Sequence, residues 1–151
     1  MPAFRADNLG SFLRPAYLLE ARRQSLPAAE LRAVEDRAIA AAVHLQEEVG
    51  LPVVTDGEFR RKLFFSTVVE VADGFDPVGF ERFHRDEAGN VERFGVPTPV
   101  AKIKRAASLV DTEFAFVKQH TNRPIKVTMP CPSNFLNYWT PRSDAAYASK
   151  E

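Results

Sequence analysis

The sequence has few of the residues that build disulfide frameworks and local metal sites. Its 151 residues include one cysteine, Cys131, and three histidines, which are far apart: His44, His84 and His120. One cysteine cannot form an internal disulfide, and no two histidines have the i, i+4 spacing that brings two ligands to one helix face. These counts exclude a disulfide-rich domain and a metal site built from local His or Cys spacing.

Net charge and long apolar runs are also absent. Lys plus Arg and Asp plus Glu both number 20, so the formal net charge is zero, and the basic residues are scattered. Binding to phosphates needs clustered basic residues, so nucleic acid is not a predicted partner. No stretch reaches the roughly 18 apolar residues of a membrane span, and the N-terminus has no apolar signal segment. We therefore predict a soluble, cytoplasmic protein that does not bind membranes, and a lone cysteine fits a reducing compartment.

Two polar turns, each directly after a short apolar run, are the most informative pattern in the sequence. The first covers residues 7–11, Asp-Asn-Leu-Gly-Ser, and the second covers residues 55–61, Thr-Asp-Gly-Glu-Phe-Arg-Arg. In α/β proteins, ligands bind beyond the carboxyl ends of the strands. We therefore predict that the two turns are neighbouring walls of one pocket.

Hydrophobic periodicity predicts two strands separated by two helices before residue 60. In order, we expect a strand at 3–9, a helix at 15–24, a helix at 28–49 ended by Gly50, and a strand at 52–55. Two parallel strands joined by a helix have a right-handed crossover, which places both strand ends at the same edge of the sheet. This topology would bring the two polar turns together.

The rest of the chain mixes helical patterns with a long excursion. For residues 63–72 both helix and strand fit, and we favour a helix. In order, the remaining expectations are an inserted β-hairpin near residues 74–98 around the turn 86–90, a helix at 108–120, a strand at 125–129 and the start of a helix at 143–151, capped by Ser143 or Asp144. Because that last helix has no C-cap, we expect a chain cut within a larger domain.

Four segments, in order, resemble the cobalamin-independent methionine synthases and their shorter single-barrel relatives. They are residues 8–12 (Asn-Leu-Gly-Ser-Phe), 54–61 (Val-Thr-Asp-Gly-Glu-Phe-Arg-Arg), 73–75 (Asp-Gly-Phe) and 126–133 (Lys-Val-Thr-Met-Pro-Cys-Pro-Ser). The resemblance implies a (β/α)₈ barrel of the TIM type that transfers a methyl group to the sulfur of homocysteine, forming methionine. Such a barrel needs roughly 250 residues, so residues 1–151 would be its N-terminal portion, the first three to four βα units.

The resemblance also implies which residues hold the amino-acid part of homocysteine or methionine: Leu9, Gly10, Ser11 and Glu58. Backbone amides and the Ser11 hydroxyl can donate hydrogen bonds to a carboxylate, while the Glu58 carboxylate can accept from an ammonium group. In the family a His, two Cys and a Glu from the second half of the barrel hold zinc. The resemblance therefore places the zinc ligands and the catalytic groups outside this chain, which alone we expect to be inactive.

The methyl donor and the acceptor stay open. The family's folate-using members carry a Trp after the Val-Thr strand, where this chain has Pro132, so the donor is a folate or another methyl compound. A related thiol alkyltransferase with a different acceptor is an alternative. A second alternative is a non-catalytic half-barrel or interaction module, which pairs with another chain or with itself through exposed strand edges.

Several residues near the turns have ordinary structural interpretations beside the functional ones. Glu58 with its neighbouring arginines could form a surface charge cluster, and Asp56 could shape the site or cap the next segment. Salt bridging is favoured over substrate contact for three charged residues around the first turn: Arg5, Asp7 and Arg14. Cys131 is predicted to be a small buried residue rather than a ligand or nucleophile.

Overall fold

The chain forms two units in the computed structural model, which describes residues 7–108 and 110–148. Of these residues, the first unit contains 7–64 and 110–128, and the second contains 65–108 and 129–148. Both polar turns therefore belong to the first unit. Within the described ranges, no helix is long and apolar enough to cross a membrane.

Two helices of the first unit match the periodicity within about a turn. Helix α1 spans Ala16–Arg23 and helix α2 spans Ala28–Glu48. Each begins directly after a proline, whose fixed φ suits the entry to a helix. Helix α2 ends just before Gly50, which has the positive φ of 80° expected of a glycine that stops a helix. The predicted helices at 15–24 and 28–49 are confirmed.

The core of the first unit forms on one face of α2. Its apolar side chains recur at three- and four-residue steps, so a helix brings them to one stripe. Helix α4, Asp111–Lys118, packs on the same core and replaces the longer helix predicted at 108–120. The buried cluster comprises Leu18, Ala38, Ile39, Ala42, Val43, Val54, Phe59 and Val117.

The strands predicted at 52–55 and 125–129 are reduced to a single parallel bridge between Val54 and Ile125. The Val54 amide donates to the carbonyl of Pro124 at 3.0 Å, and the amide of Lys126 donates to the Val54 carbonyl at 2.9 Å. The backbone N–H and C=O of Thr55, the next residue, bond to the side chain of a glutamine instead of to a strand. Residues 1–6 of the strand predicted at 3–9 lie outside the described ranges, and residues 7–9 are not in a strand.

The second unit contains a long antiparallel β-hairpin, as predicted near residues 74–98. Strand β1 spans Ala72–Arg85 and strand β2 spans Val91–Arg105, and the register of their pairing shifts twice, between Asp73 and Phe75 and between Asp76 and Phe80. The Asp86 carboxylate closes the turn by accepting from the amide of Asn90 at 2.8 Å. The hairpin is confirmed and is longer than expected at both ends.

Short helices complete the second unit. Helix α3, Ser66–Glu70, confirms the preference for a helix in the middle of 63–72. Two 3₁₀ helices span Pro132–Tyr138 and Pro141–Ala145. The helix predicted from residue 143 is wrong in type and start, because Thr140 caps the 3₁₀ turn and Pro141 begins it; residues 149–151 of that helix lie outside the described ranges.

The architecture is therefore an α/β fold with helices and a two-stranded antiparallel sheet. One parallel bridge is the only parallel pairing in the described residues. The α/β class is confirmed, while the partial (β/α)₈ barrel stays a prediction.

Candidate functional site

The second polar turn is shaped by its own side chains. The Thr55 hydroxyl accepts from the amide of Gly57 at 3.1 Å, and the Asp56 carboxylate accepts from the amide of Glu58 at 2.9 Å. Such side-chain contacts two residues along the chain replace the hydrogen bonds of a regular element. The bond from the Glu58 amide to Asp56 is the kind that a capping side chain makes, which agrees with the capping role considered for Asp56.

The turn places two successive residues in the left-handed region. Gly57 has φ of 68° and Glu58 has φ of 58°. A side chain costs about 1–2 kcal/mol in this conformation, and such residues are concentrated at functional sites. A Cβ added to Gly57 would lie 3.3 Å from ring atoms of both Phe12 and Phe59. The backbone that presents Glu58 is thus fixed by local bonds and by close packing.

The Glu58 side chain lies in a buried, polar environment. The residue is 6% exposed, and its Oε1 accepts from the Thr128 hydroxyl at 2.6 Å. Nη1 of Arg61 lies 3.8 Å from Oε2, too far for a hydrogen bond. A carboxylate has about four acceptor positions, so capacity remains for an incoming ammonium group. The alternative of a surface charge cluster is wrong, because Glu58 and Arg61 are both buried.

Arg61 is held in place by a buried ion pair with Glu113 of α4. Its Nε and Nη2 donate to the two carboxylate oxygens at 3.0 and 2.7 Å, and Nη2 also donates to the carbonyl of Thr128 at 2.8 Å. Burial tends to lower the pKa of Arg61, but the adjacent carboxylates, Glu113 foremost, raise it above its ordinary value. The guanidinium therefore stays charged and ties the turn to α4.

Glu113 and Thr128 were not predicted as parts of the site. Glu113 falls on the same side of its helix as the apolar Phe116 and Val117, and it is buried with Val117. The available signal for Glu113 was a charged residue on an apolar helix face. Such a residue is buried when the helix packs, and a buried carboxylate requires a partner of opposite charge. Thr128 lies in the resembling segment 126–133, but nothing in the sequence marks it as a partner of Glu58.

Asp56 carries a carboxylate oxygen that no described protein atom satisfies. The residue is buried, and its Oδ2 has no hydrogen-bond partner in the described part of the chain. Burial raises the pKa of Asp56 above its ordinary value, and the nearby charges of Glu113 and Glu58 add to this effect. The Glu58 amide and the Arg61 guanidinium act in the opposite direction.

The first polar turn is exposed and lies beside the second. Leu9, Gly10 and Ser11 are all exposed, with 89% of Leu9 accessible, and Gly10 has a positive φ of 76°. The amide of the next residue, Phe12, donates to the carbonyl of Gly57 at 3.1 Å. The structure thus joins the segment that contains the three predicted residues directly to the turn that presents Glu58.

A glutamine of α2, which was not predicted as part of the site, also contacts both turns. Gln46 Nε2 donates to the carbonyl of Thr55 at 2.9 Å, and Oε1 accepts from the Thr55 amide at 2.9 Å and from the Asn8 side chain at 3.2 Å. The available signal was its position in α2. Gln46 follows Ala38 and Ala42 at intervals of four residues, so it lies on the same buried face of the helix.

The charged residues around the first turn make structural contacts. Asp7 forms an ion pair with Lys126, which also donates to the carbonyl of Asn8. Arg14 donates to the carbonyl of Arg61 at 2.9 Å. Salt bridging is therefore confirmed for Asp7, whereas Arg14 bonds to backbone oxygen; Arg5 lies outside the described ranges.

The described residues do not fit a zinc site. Among residues 7–108 and 110–148, no three His, Cys, Asp or Glu side chains are grouped so that they could hold a metal ion. Protein zinc sites use at least three such ligands. Cys131 is exposed, so its predicted burial is wrong; it lies between Pro130 and Pro132, in an extended segment before a 3₁₀ helix.

The chain is similar to known proteins over nearly its whole length. No family model matches it. Uncharacterized protein YxjH of Bacillus subtilis is 44% identical over 78 residues, which cover 49% of this chain and 21% of that protein. The 5-methyltetrahydropteroyltriglutamate–homocysteine methyltransferase of Thermosynechococcus vestitus is 31% identical over 95% of this chain and 19% of its own length.

Solved structures agree with these relatives. A protein of Listeria monocytogenes assigned as a vitamin-B12-independent methionine synthase has a TM-score of 0.67 and 30% identity, covering 93% of this chain and 42% of that one. A B12-independent methionine synthase from Shewanella, in complex with selenomethionine, has a TM-score of 0.58 and 28% identity, covering 76% of this chain and 33% of that one.

The fold and the site define an α/β protein with a buried carboxylate presented by a strained turn. The relatives make this more specific: the chain is similar over 95% of its length to 5-methyltetrahydropteroyltriglutamate–homocysteine methyltransferases and over 93% to the Listeria protein assigned as a vitamin-B12-independent methionine synthase, which confirms the resemblance to that family. The chain spans only about a fifth of the length of the curated relatives it matches.

Proposed function

We propose that the chain is the amino-acid-binding part of a methyltransferase of the cobalamin-independent methionine synthase type. The parent enzyme would transfer a methyl group to the thiol of homocysteine, forming methionine. The observation that carries this proposal is the buried Glu58 carboxylate, which keeps unused acceptor capacity beside the exposed turn of Leu9, Gly10 and Ser11. The complex of the Shewanella relative with selenomethionine supports an amino acid as the ligand.

In this proposal each end of the amino acid has its own partner. Glu58 accepts from the ammonium group, and burial strengthens this charge-assisted bond because little water competes for it. The substrate carboxylate receives hydrogen bonds from the amides of the first turn and from the Ser11 hydroxyl. The Arg61–Glu113 pair keeps the Arg61 guanidinium directed at Glu113, so that Arg61 does not occupy Glu58.

The remaining parts of the enzyme are proposed to come from outside these residues. We place the chain in the N-terminal portion of a (β/α)₈ barrel with an inserted hairpin, and we place the zinc ligands elsewhere in that barrel, since the described residues do not fit a metal. The names of several relatives specify a folate methyl donor, while Pro132 differs from the Trp of folate-using members, so the donor stays open. Self-association through strand edges stays a prediction.

Calorimetric titration of the chain with L-methionine tests the role of Glu58. We expect Glu58→Gln to weaken binding of methionine or homocysteine by about 1–3 kcal/mol, the usual scale for loss of a charge-assisted hydrogen bond. Glu20→Gln is the matched control, because Glu20 pairs with Arg23 on the exposed face of α1. Equal affinities for the wild-type chain and Glu58→Gln would contradict the proposal.

A further inference from the structure

Every hydrogen-bonding group of the Gln46 side chain is used. Besides the bonds to Thr55 and Asn8, Nε2 donates to the carbonyl of Ala42, one turn earlier in α2, at 2.9 Å. The residue is 2% exposed. A fully satisfied amide in a buried position has one favourable orientation, since any rotation would leave buried donors and acceptors unpaired.

The Gln46 amide replaces a neighbouring strand. It binds both the N–H and the C=O of Thr55, as the backbone of a paired strand residue would. The same Oε1 receives the Asn8 side chain, and Asn8 directly precedes Leu9 and the rest of the first turn. One atom, Gln46 Oε1, therefore fixes the start of the second turn relative to Asn8 in the first turn.

We propose that Gln46 is a positioning residue, which sets the spacing between the two halves of the amino-acid site without touching the ligand. This inference rests on the proposed function. The ligand's ammonium and carboxylate groups are a fixed distance apart, so affinity depends on the separation of Glu58 from the first turn.

No other residue type can make this set of bonds. Glutamate has the same shape but lacks the N–H groups that reach Ala42 and Thr55, and asparagine is one methylene shorter. The bond from the Phe12 amide to Gly57 involves only backbone and persists in any side-chain variant. Changes at Gln46 are therefore expected to misalign the two turns and not to separate them.

The selective test is Asn8→Ala, which removes the hydrogen bond from the first turn to Gln46 and keeps both bonds from Gln46 to Thr55. Its matched control is Asn134→Ala, which removes a similar bond, from the Asn134 amide to the Tyr138 hydroxyl at 3.1 Å, in the second unit. Each loses one hydrogen bond of ordinary strength, so similar small losses of stability are expected.

The affinity for L-methionine is expected to differ between Asn8→Ala and its control Asn134→Ala. We expect Asn8→Ala to weaken binding of L-methionine about 3- to 10-fold, the scale of one net hydrogen bond, while Asn134→Ala leaves it unchanged. Gln46→Glu, which removes the bonds to Ala42 and to the Thr55 carbonyl, is expected to weaken it further. In ligand-free ¹H–¹⁵N spectra, the amides of Leu9, Gly10 and Ser11 are expected to shift in Asn8→Ala.

The outcomes distinguish this inference from the proposed function. Failure of the wild-type chain to bind methionine would overturn the proposed function and, with it, the role of Gln46. If the wild-type chain binds and both Asn8→Ala and Gln46→Glu bind equally well, only the positioning role is overturned. Equal losses in Asn8→Ala and Asn134→Ala would also reject it, since a general loss of stability would then explain both.

Discussion

Two ion pairs of the same length, one in each unit, have very different surroundings. Arg61–Glu113 in the first unit and Arg142–Asp76 in the second both have N–O distances of 2.7 Å, but the side chains are 3% and 5% exposed in the first pair and 55% and 29% exposed in the second. Water competes for the second pair and is excluded from the first. Burial, and not distance, therefore separates the polar network of the site from the charged surface of the hairpin unit.

Removal of the buried arginine is expected to have the largest effect. Arg61→Met removes the guanidinium that binds both carboxylate oxygens of the buried Glu113, which should lower the free energy of unfolding by about 3–5 kcal/mol. Arg142→Ala should lower it by less than about 1 kcal/mol. Urea denaturation monitored by circular dichroism gives both values.

A double variant checks the cause of that loss. In Arg61→Met with Glu113→Leu, no uncompensated charge of the pair remains, so the double variant should be more stable than Arg61→Met alone. If Arg61→Met and Arg142→Ala lower the free energy of unfolding equally, burial does not distinguish the two ion pairs.

Two glycines provide the next comparison, since both have positive φ. Gly57→Ala adds a Cβ at 3.3 Å from the rings of Phe12 and Phe59, whereas Gly89 in the hairpin turn has φ of 86° and nothing within 4 Å of the added atom. We expect losses of stability of about 2–4 kcal/mol at Gly57, from backbone strain and overpacking, and about 1 kcal/mol at Gly89, from backbone strain alone. Thermal unfolding of the two variants measures the difference, and a larger loss at Gly89 would show that the turn in the first unit is not tightly packed.

The smallest effect concerns the pH dependence of stability. Because burial raises the pKa of Asp56, the folded chain binds this proton more tightly than the unfolded chain does. The contribution of Asp56 to stability is therefore full below its unfolded pKa and is lost as pH rises through the folded pKa. Asn cannot titrate, so the stability of Asp56→Asn relative to wild type should increase as pH rises above the ordinary pKa of an aspartate, about 4. A difference that is constant or decreases with pH would contradict a raised pKa.

The sequence predicted the elements that depend on local pattern. Helix α2 follows from apolar residues repeated at helical spacing, and the hairpin follows from the turn-forming residues at 86–90. The predictions of strands at 52–55 and 125–129 were wrong in extent, because strand pairing depends on partners that are distant in sequence. At Thr55 the partner of the backbone is the Gln46 side chain. The β-propensity of the local sequence does not indicate that a side chain will take the place of a neighbouring strand.

The candidate site was only partly predictable. Leu9, Gly10, Ser11 and Glu58 were identified through the four resembling segments, and their roles as ligand contacts remain predictions. The residues that bind Arg61 and Glu58 lie 52 to 70 residues away along the chain, namely Glu113 and Thr128. Only folding brings such residues together, and a polar residue on an apolar helix face, as for Glu113 and Gln46, is the nearest local signal.

Chemical-shift mapping with L-methionine tests the central claim most directly. On titration of the ¹⁵N-labelled chain, the account predicts shifts of the backbone amides of Gly10, Ser11 and Glu58, with the amides of Phe83 and Gly89 in the hairpin unchanged. Glu58→Gln should reduce the shifts in the first turn at the same methionine concentration. Shifts confined to the hairpin, or none at Glu58 and Ser11 at any concentration, would contradict the assignment of the two turns to one amino-acid site.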